Sequence, residues 1–262
     1  MYMGIINNSK TAKSDIRNIV NSNEEILVVH YSYAIVPELQ EDMSSMITTI
    51  VVRSLDNKIN ECFGLHLEAD LIGISKSEMK DFYSDLELSM LEKFMAFVRL
   101  HIKSYWINWN MKDISYGFQA IKHRYEKLTG GNSSGYTDIP SYRKKNLDSL
   151  LSQLFGDCYS KNNDKLFDLM TFNKCDTFSY LDSNNESIEF SKLNYNTVLD
   201  SVRAKVDAIA SLFDKMASNS IKIPNKNNYS KFVGIITHPI MAFIGWIATI
   251  IGVIIGIIAL CY

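Results

Sequence analysis

The chain has 262 residues, 27 basic against 29 acidic, and 47% of them are hydrophobic. That length fits one domain of ordinary to large size and leaves little room for a second full domain beside it. The near balance of charge excludes a global pull towards nucleic acid or an acidic substrate, so any such binding requires a local patch.

The first stretch, "MYMGIINNSKTAKSDIRNIVN", has no apolar core of signal-peptide length, and Tyr2 at the second position excludes an N-myristoyl signal. Residues 1–23 read as an N-terminal extension. "EEILVVHYSYAIV" (Glu24 to Val36) then predicts a buried strand, because β-branched and apolar residues run continuously from Ile26 to Val29. Two more strands are predicted over Ser45 to Leu55 and Asn60 to Ala69, joined by a hairpin turn at Asp56 and Asn57. In the next segment Phe82, Leu86, Met90, Phe94 and Phe97 recur at three and four residues, which predicts an amphipathic helix with a Ser75/Glu78 capping box ahead of it.

"YWINWNM" (Tyr105 to Met111) predicts a fourth strand. A helix follows through Ile114, Phe118, Ile121 and Tyr125, and Gly130 and Gly131 stop it. After a loop over residues 130–145, helices are expected at Asn146 to Phe155 and Asp164 to Thr171, a turn at "DSNNES", and a last helix with Val198, Val202, Val206, Ile209 and Leu212 on one side. The fold class is therefore α/β: a mixed sheet of three antiparallel strands, a helix and a fourth strand, with flanking helices, over residues 24–218.

Residues 219–231 form a linker into 232–262, and from Ile240 to Cys261 there are 22 consecutive residues without a charge. At about 1.5 Å per residue a helix of that length covers the hydrocarbon core of about 30 Å, so one C-terminal transmembrane helix is expected, in tail-anchor geometry. Lys215, Lys222, Lys226 and Lys231 lie just upstream, and the positive-inside rule puts the large N-terminal part in the cytoplasm, in a bacterium at the inner membrane. Gly245, Ala248, Gly252, Gly256 and Ala259 share one face of that helix, a smooth surface suited to homo-oligomerisation in lipid; glycine is also simply common in membrane helices.

Cys62, Cys158, Cys175 and Cys261 are scattered with no CxxC spacing, which fits a reducing compartment. His30, His66, His101 and His123 have no second ligand at helical spacing, so no metal is expected from them. No GxGxxG, GxxxxGK[ST] or GxSxG is present. In "WINWNMKDISYGFQAIKHRYEKL" aromatic and cationic residues cluster as they do where bases stack and phosphate is bound. Core packing is the favoured account of Trp106 and Phe118, whereas Asn108, Asn110 and Arg124 are polar enough to be the expected ligand-binding residues.

The order of predicted strands and helices resembles the ribonuclease H-like fold of proofreading-type 3′–5′ exonucleases, over roughly residues 24–218. The resemblance implies two Mg ions held by four carboxylates. The first strand would supply Asp-x-Glu, and His30, Ser32 and Ala34 stand there instead. "NWNMKD" approximates a second element through Asp113, and Tyr195 to Asp200 a last one, with Asp207 a further candidate; the same three acids also read as a helix cap and solvated helix faces. The "WNM", "YGF" and "HRY" words resemble those of a bacterial protein family without an assigned activity. With the tail anchor read above, the broken acidic motifs point to a non-catalytic domain that recognises a nucleic acid, nucleotide or protein partner at the membrane and oligomerises through its small-residue face; the resemblance adds the setting of an antiphage effector. The alternative is a membrane-tethered metal-dependent nuclease with Asp113, Asp200 and Asp207 as rearranged ligands. A tether that only docks another protein is a third possibility.

Overall fold

β-branched and apolar residues build the centre of the fold. In the computed structural model, which describes residues 2–34, 45–111 and 116–225, β1 (Ile26–Ala34) and β2 (Met46–Ser54) are nine-residue strands buried along almost their whole length. Both faces of the sheet are covered, and near-continuous apolar sequence is what such strands require. β3 (Asn60–Gly64) joins β2 through a hairpin whose turn is the expected one: Asn57 adopts the left-handed region at φ 64°, and Asp56 accepts hydrogen bonds from the Ser54 hydroxyl and the Lys58 amide.

The sheet has five strands in the order β3-β2-β1-β4-β5, with β4 spanning Tyr105–Asn108 and β5 Lys144–Asn146. β1 pairs antiparallel with β2, and β2 with β3; β1 pairs parallel with β4, and β4 with β5. Side-chain alternation divides the core. Leu27, Val29, Ile50, Val52 and Trp106 face α3 (Tyr83–Leu100) and α4 (Phe118–Leu128). Val28, Val51 and Ile107 face α8 (Tyr195–Ala217), with α5 (Leu147–Phe155) and α6 (Lys165–Phe172) alongside. Each such fully buried aliphatic side chain stabilises the fold by about 1.5–3 kcal/mol.

Four elements differ from the sequence expectation. The predicted third strand ends at Gly64, where α2 (Leu65–Ile72) begins, because Leu65, Glu68 and Ala69 are buried at helical spacing. The predicted turn at "DSNNES" is the start of α7 (Ser183–Ser191): Asp182 accepts the Asn185 amide hydrogen bond at 2.8 Å, so turn-forming residues here act as a helix cap. β5 lies in the predicted loop, a strand of three residues being too short for a periodic signal. Residues read as an extension form α1 (Tyr2–Val20), whose Ala12, Ile16 and Ile19 are buried in the same core as α5 and α8.

The Ser75/Glu78 pair forms, with the Ser75 amide donating to Glu78 at 3.2 Å. It closes a turn ahead of Met79–Phe82, a 3-10 segment, rather than the first turn of α3. Among the described residues no helix is long and apolar enough to cross a membrane. The expected span at 240–261, with Gly245, Ala248, Gly252, Gly256 and Ala259, lies outside the described residues, as does Asp113.

Candidate functional site

β1 and β4 run parallel side by side, yet the chain leaves them in opposite directions across the sheet, β1 towards β2 and β4 towards β5. In open α/β sheets the carboxyl ends of strands at such a reversal leave a crevice. Here it is a cleft of about 630 Å³, walled by His30 and Tyr33 of β1, Trp109 and Asn110 after β4, and Tyr116 before α4. The starts of α5, α6 and α7 close the other side with Asp148, Asp164 and Asp182, and α8 contributes Lys205.

His30 is 5% exposed and central to the cleft. Tyr116 Oη lies 3.2 Å from the Tyr31 carbonyl, to which its hydroxyl donates, and 3.3 Å from His30 Nε2. With that hydroxyl proton committed, Nε2–H is the donor to Tyr116 and Nδ1 carries a lone pair; Nδ1 is buried without a partner. Burial, reinforced by the charge of Lys205, holds the imidazole well below its ordinary pKa, so the ring is neutral near pH 7. Tyr116 also stacks on Tyr31 with ring centroids 4.6 Å apart, and the Gly117 amide donates to Tyr31 Oη at 2.8 Å. The cleft wall next to β1 is thus a fixed aromatic stack.

The carboxylates around the cleft are all engaged. Asp164 caps α6 by accepting the Phe167 amide at 3.0 Å and takes the Tyr180 hydroxyl at 2.5 Å. Asp182 caps α7 and also binds the Asn185 side chain at 2.7 Å; its amide partners hold it below the usual carboxylate range. Asp148 accepts the Tyr159 hydroxyl at 2.5 Å and lies 3.5 Å from Lys165. Glu186 on α7 meets Lys205 at 2.8 Å and Ser201 at 2.7 Å, both on α8. Burial pushes the Glu186 carboxyl up, and Lys205 and Ser201 oppose that rise.

A pair of Mg ions needs converging carboxylate oxygens. The residues present do not fit that pair: His30 occupies the cleft position on β1, Ser32 is hydrogen-bonded to Thr48 at 2.9 Å, and Ala34 offers no donor atom. Among the described residues no three of His, Cys, Asp and Glu are grouped as a metal would require.

Of the residues singled out in sequence, Asn110 lines the cleft, with its backbone in the left-handed region at φ 51°. Asn108 is buried and lines a second depression beyond β4. Arg124 is enclosed against Glu87 of α3, away from both. Asp200 and Asp207 sit on the outward face of α8 beside a shallow hollow with Arg203; Asp200 pairs with Arg203 and Asp207 with Arg53 of β2. Trp106 and Tyr125 belong to the core under α3 and α4; Trp109, 8% exposed, packs into the core under α8 and borders the cleft, which Tyr116 also lines.

Sequence reading passed over Glu186, Lys205 and the three capping-region aspartates. Lys205 carried a usable signal, since it lies three residues after Val202 and four before Ile209 on the apolar face of α8. A lysine inside such a stripe needs a buried partner. No protein-family profile, curated protein or solved structure matches the chain.

Proposed function

We propose that this chain is a recognition domain of ribonuclease H-like topology, tethered to a membrane by residues 240–261, whose cleft holds a nucleotide or a nucleic-acid strand without cleaving it. The observation that carries the reading is the centre of the cleft. Where the resembled exonucleases have paired acids on the first strand, this chain has a neutral imidazole with a free nitrogen beside the buried Lys205, under a wall of tyrosines. Such a surface suits a planar, hydrogen-bonding ligand: aromatic faces stack on bases, and the free imidazole nitrogen accepts from a base edge.

The ribonuclease H-like part of the reading is supported by the strand order β3-β2-β1-β4-β5 with β4 and β5 parallel to β1. The anchor, the cytoplasmic face and homo-oligomerisation through Gly245, Ala248, Gly252, Gly256 and Ala259 rest on the sequence pattern. An effector that gathers its membrane helices when the cleft fills, as in antiphage defence, unites these parts.

The test is full-length protein in detergent with labelled single-stranded DNA and RNA, with and without Mg²⁺ or Mn²⁺. The expected result is binding with the strand intact, weakened at least about tenfold by Tyr33→Ala, the loss expected when one stacking contact of a part-exposed cleft residue is removed. Metal-dependent cleavage abolished by Asp113→Asn or Asp207→Asn overturns it in favour of a nuclease. Expression with and without residues 232–262 examines the effector idea: growth arrest that needs the tail supports it, and toxicity of the soluble part alone opposes it.

A further inference from the structure

β4 and β5 pair in parallel so that Asn108 stands directly opposite Asn146, two amides side by side at the carboxyl ends of their strands. Both line a depression of about 580 Å³ on the far side of β4 from the cleft. Asn146 caps α5: its Oδ1 accepts the Ser149 amide at 3.2 Å and the Asn110 amide at 3.4 Å. That fixes the orientation of its side chain and leaves Nδ2 as a buried donor with no partner. Asn108 is 2% exposed; its Nδ2 is turned to the Trp106 carbonyl at 3.5 Å, and its Oδ1 is a buried acceptor with no partner.

A buried amide atom left without a hydrogen bond costs about 1–3 kcal/mol. Here one orphaned acceptor and one orphaned donor belong to two residues that line the same depression, and together they are the complement of a ligand edge carrying an N–H beside an acceptor. Nucleobases present that edge. The ring of Phe118 supplies an apolar wall, and Lys144 lies 5.3 Å from its centroid. Lys144 and Lys145 are each 19% exposed and pair with Asp138 at 3.1 Å and with Asp15 at 3.2 Å; Asp15 itself lines the depression, so a phosphate would have to displace its carboxylate from Lys145.

We infer that this depression is a nucleotide site, in which Asn108 and Asn146 read the edge of a base and Lys144 and Lys145 hold the attached phosphate. It does not rest on the cleft reading and shares no residue with it. The same chemistry is offered by a free mononucleotide and by the phosphorylated end of a strand.

The experiment is calorimetric titration of the full-length chain in detergent with UMP, CMP, AMP and GMP, a 5′-phosphorylated tetranucleotide, ribose 5-phosphate and inorganic phosphate. At least one base-bearing ligand is expected to bind about tenfold or more tighter than ribose 5-phosphate, the worth of about 1.4 kcal/mol of base contact. Asn146→Ser keeps an oxygen to cap α5 and removes the orphan donor, so it is expected to erase that preference while the melting temperature holds. Lys144→Ala with Lys145→Ala is expected to weaken the phosphorylated ligands and leave the corresponding nucleoside unchanged. If only the tetranucleotide shows the Asn146-dependent preference, the ligand is a strand end. Equal affinity for ribose 5-phosphate and every nucleotide overturns the inference, as does a base preference that survives Asn146→Ser. A preference lost in Tyr33→Ala but retained in Asn146→Ser overturns it while leaving the cleft reading standing.

Discussion

Arg124 of α4 grips Glu87 of α3 with Nε 2.8 Å from both carboxylate oxygens and Nη2 2.6 Å from Oε2, and the two side chains are 3% and 0% exposed. Glu87 Oε1 also accepts the Ile47 amide at 2.8 Å, so one carboxylate ties α3, α4 and the start of β2 together. Burial pushes the Glu87 carboxyl up, and Arg124 opposes that rise. Removing one partner of such a pair leaves an uncompensated charge in the core, which costs about 3–5 kcal/mol. Arg124→Met is therefore expected to lower unfolding stability by that amount in urea titration, and Glu87→Met with Arg124→Met by less than the sum of the single changes. A loss below about 1 kcal/mol for Arg124→Met would mean the charges are hydrated.

Acid should destabilise the fold through its histidines. His30 and His66 both have pKa values lowered, first by burial. The unfolded chain takes up a proton near 6.5 and the folded chain resists it, so the stabilising contribution is present above that value. It is lost as pH falls from about 6.5 towards the folded pKa, at about 1.4 kcal/mol per pH unit for each histidine. Glu87 and Glu186 act in the opposite sense, since their raised values let the folded state bind a proton first and gain stability as pH falls. Replacing His30 with Gln isolates one term. Between pH 6.5 and 5.5 its stability should fall less steeply than the parent's by about one proton's worth, and parallel slopes would show that His30 does not titrate there.

The sequence made the strands legible because burial on both faces leaves an unbroken apolar run, as in Ile26 to Val29, and it made α8 legible through Val198, Val202 and Val206. It hid β5, whose Lys144–Asn146 has strand character only through pairing with β4. It also hid the cleft. Asp148, Asp164 and Asp182 are ordinary helix-start residues in sequence, and their convergence depends on where three separate helices begin in space. The aromatic stretch is divided between the two faces of the sheet: Trp106 packs into the core under α3 and α4, and Trp109 packs into the core under α8 at the border of the cleft.

Lys205 offers a test of the cleft's electrostatics. Its ammonium, 3% exposed, pairs with Glu186 at 2.8 Å and lies 5.2 Å from the Tyr180 ring centroid. Lys205→Met leaves Glu186 buried and unpaired, a loss of about 3–5 kcal/mol. Lys205→Met with Glu186→Gln removes both charges and should recover part of it. In that double variant the His30 imidazole should titrate at higher pH than in the parent, because the charge of Lys205 helps to hold it down. Imidazole chemical shifts followed against pH report this directly, and an unchanged or lower value would contradict the arrangement.

Asp207 separates recognition from catalysis. Its side chain is 61% exposed and reaches Arg53 across the outward face of α8, while Lys205 on the same helix lines the cleft. With Asp207 exposed and Arg53 18% exposed, solvent and salt still screen the pair from the Asp207 side, and such pairs contribute about 0–1 kcal/mol. Asp207→Asn is therefore expected to change stability by less than about 1 kcal/mol, with an even smaller difference at high salt. Strand binding should be unaffected, because the carboxylate faces away from His30 and Tyr116. Asp200→Asn should behave alike, its partner Arg203 being on the same surface. Side-by-side binding isotherms of the two variants and the parent check this, and a shared loss of more than tenfold would move the functional surface from the cleft to the outer face of α8.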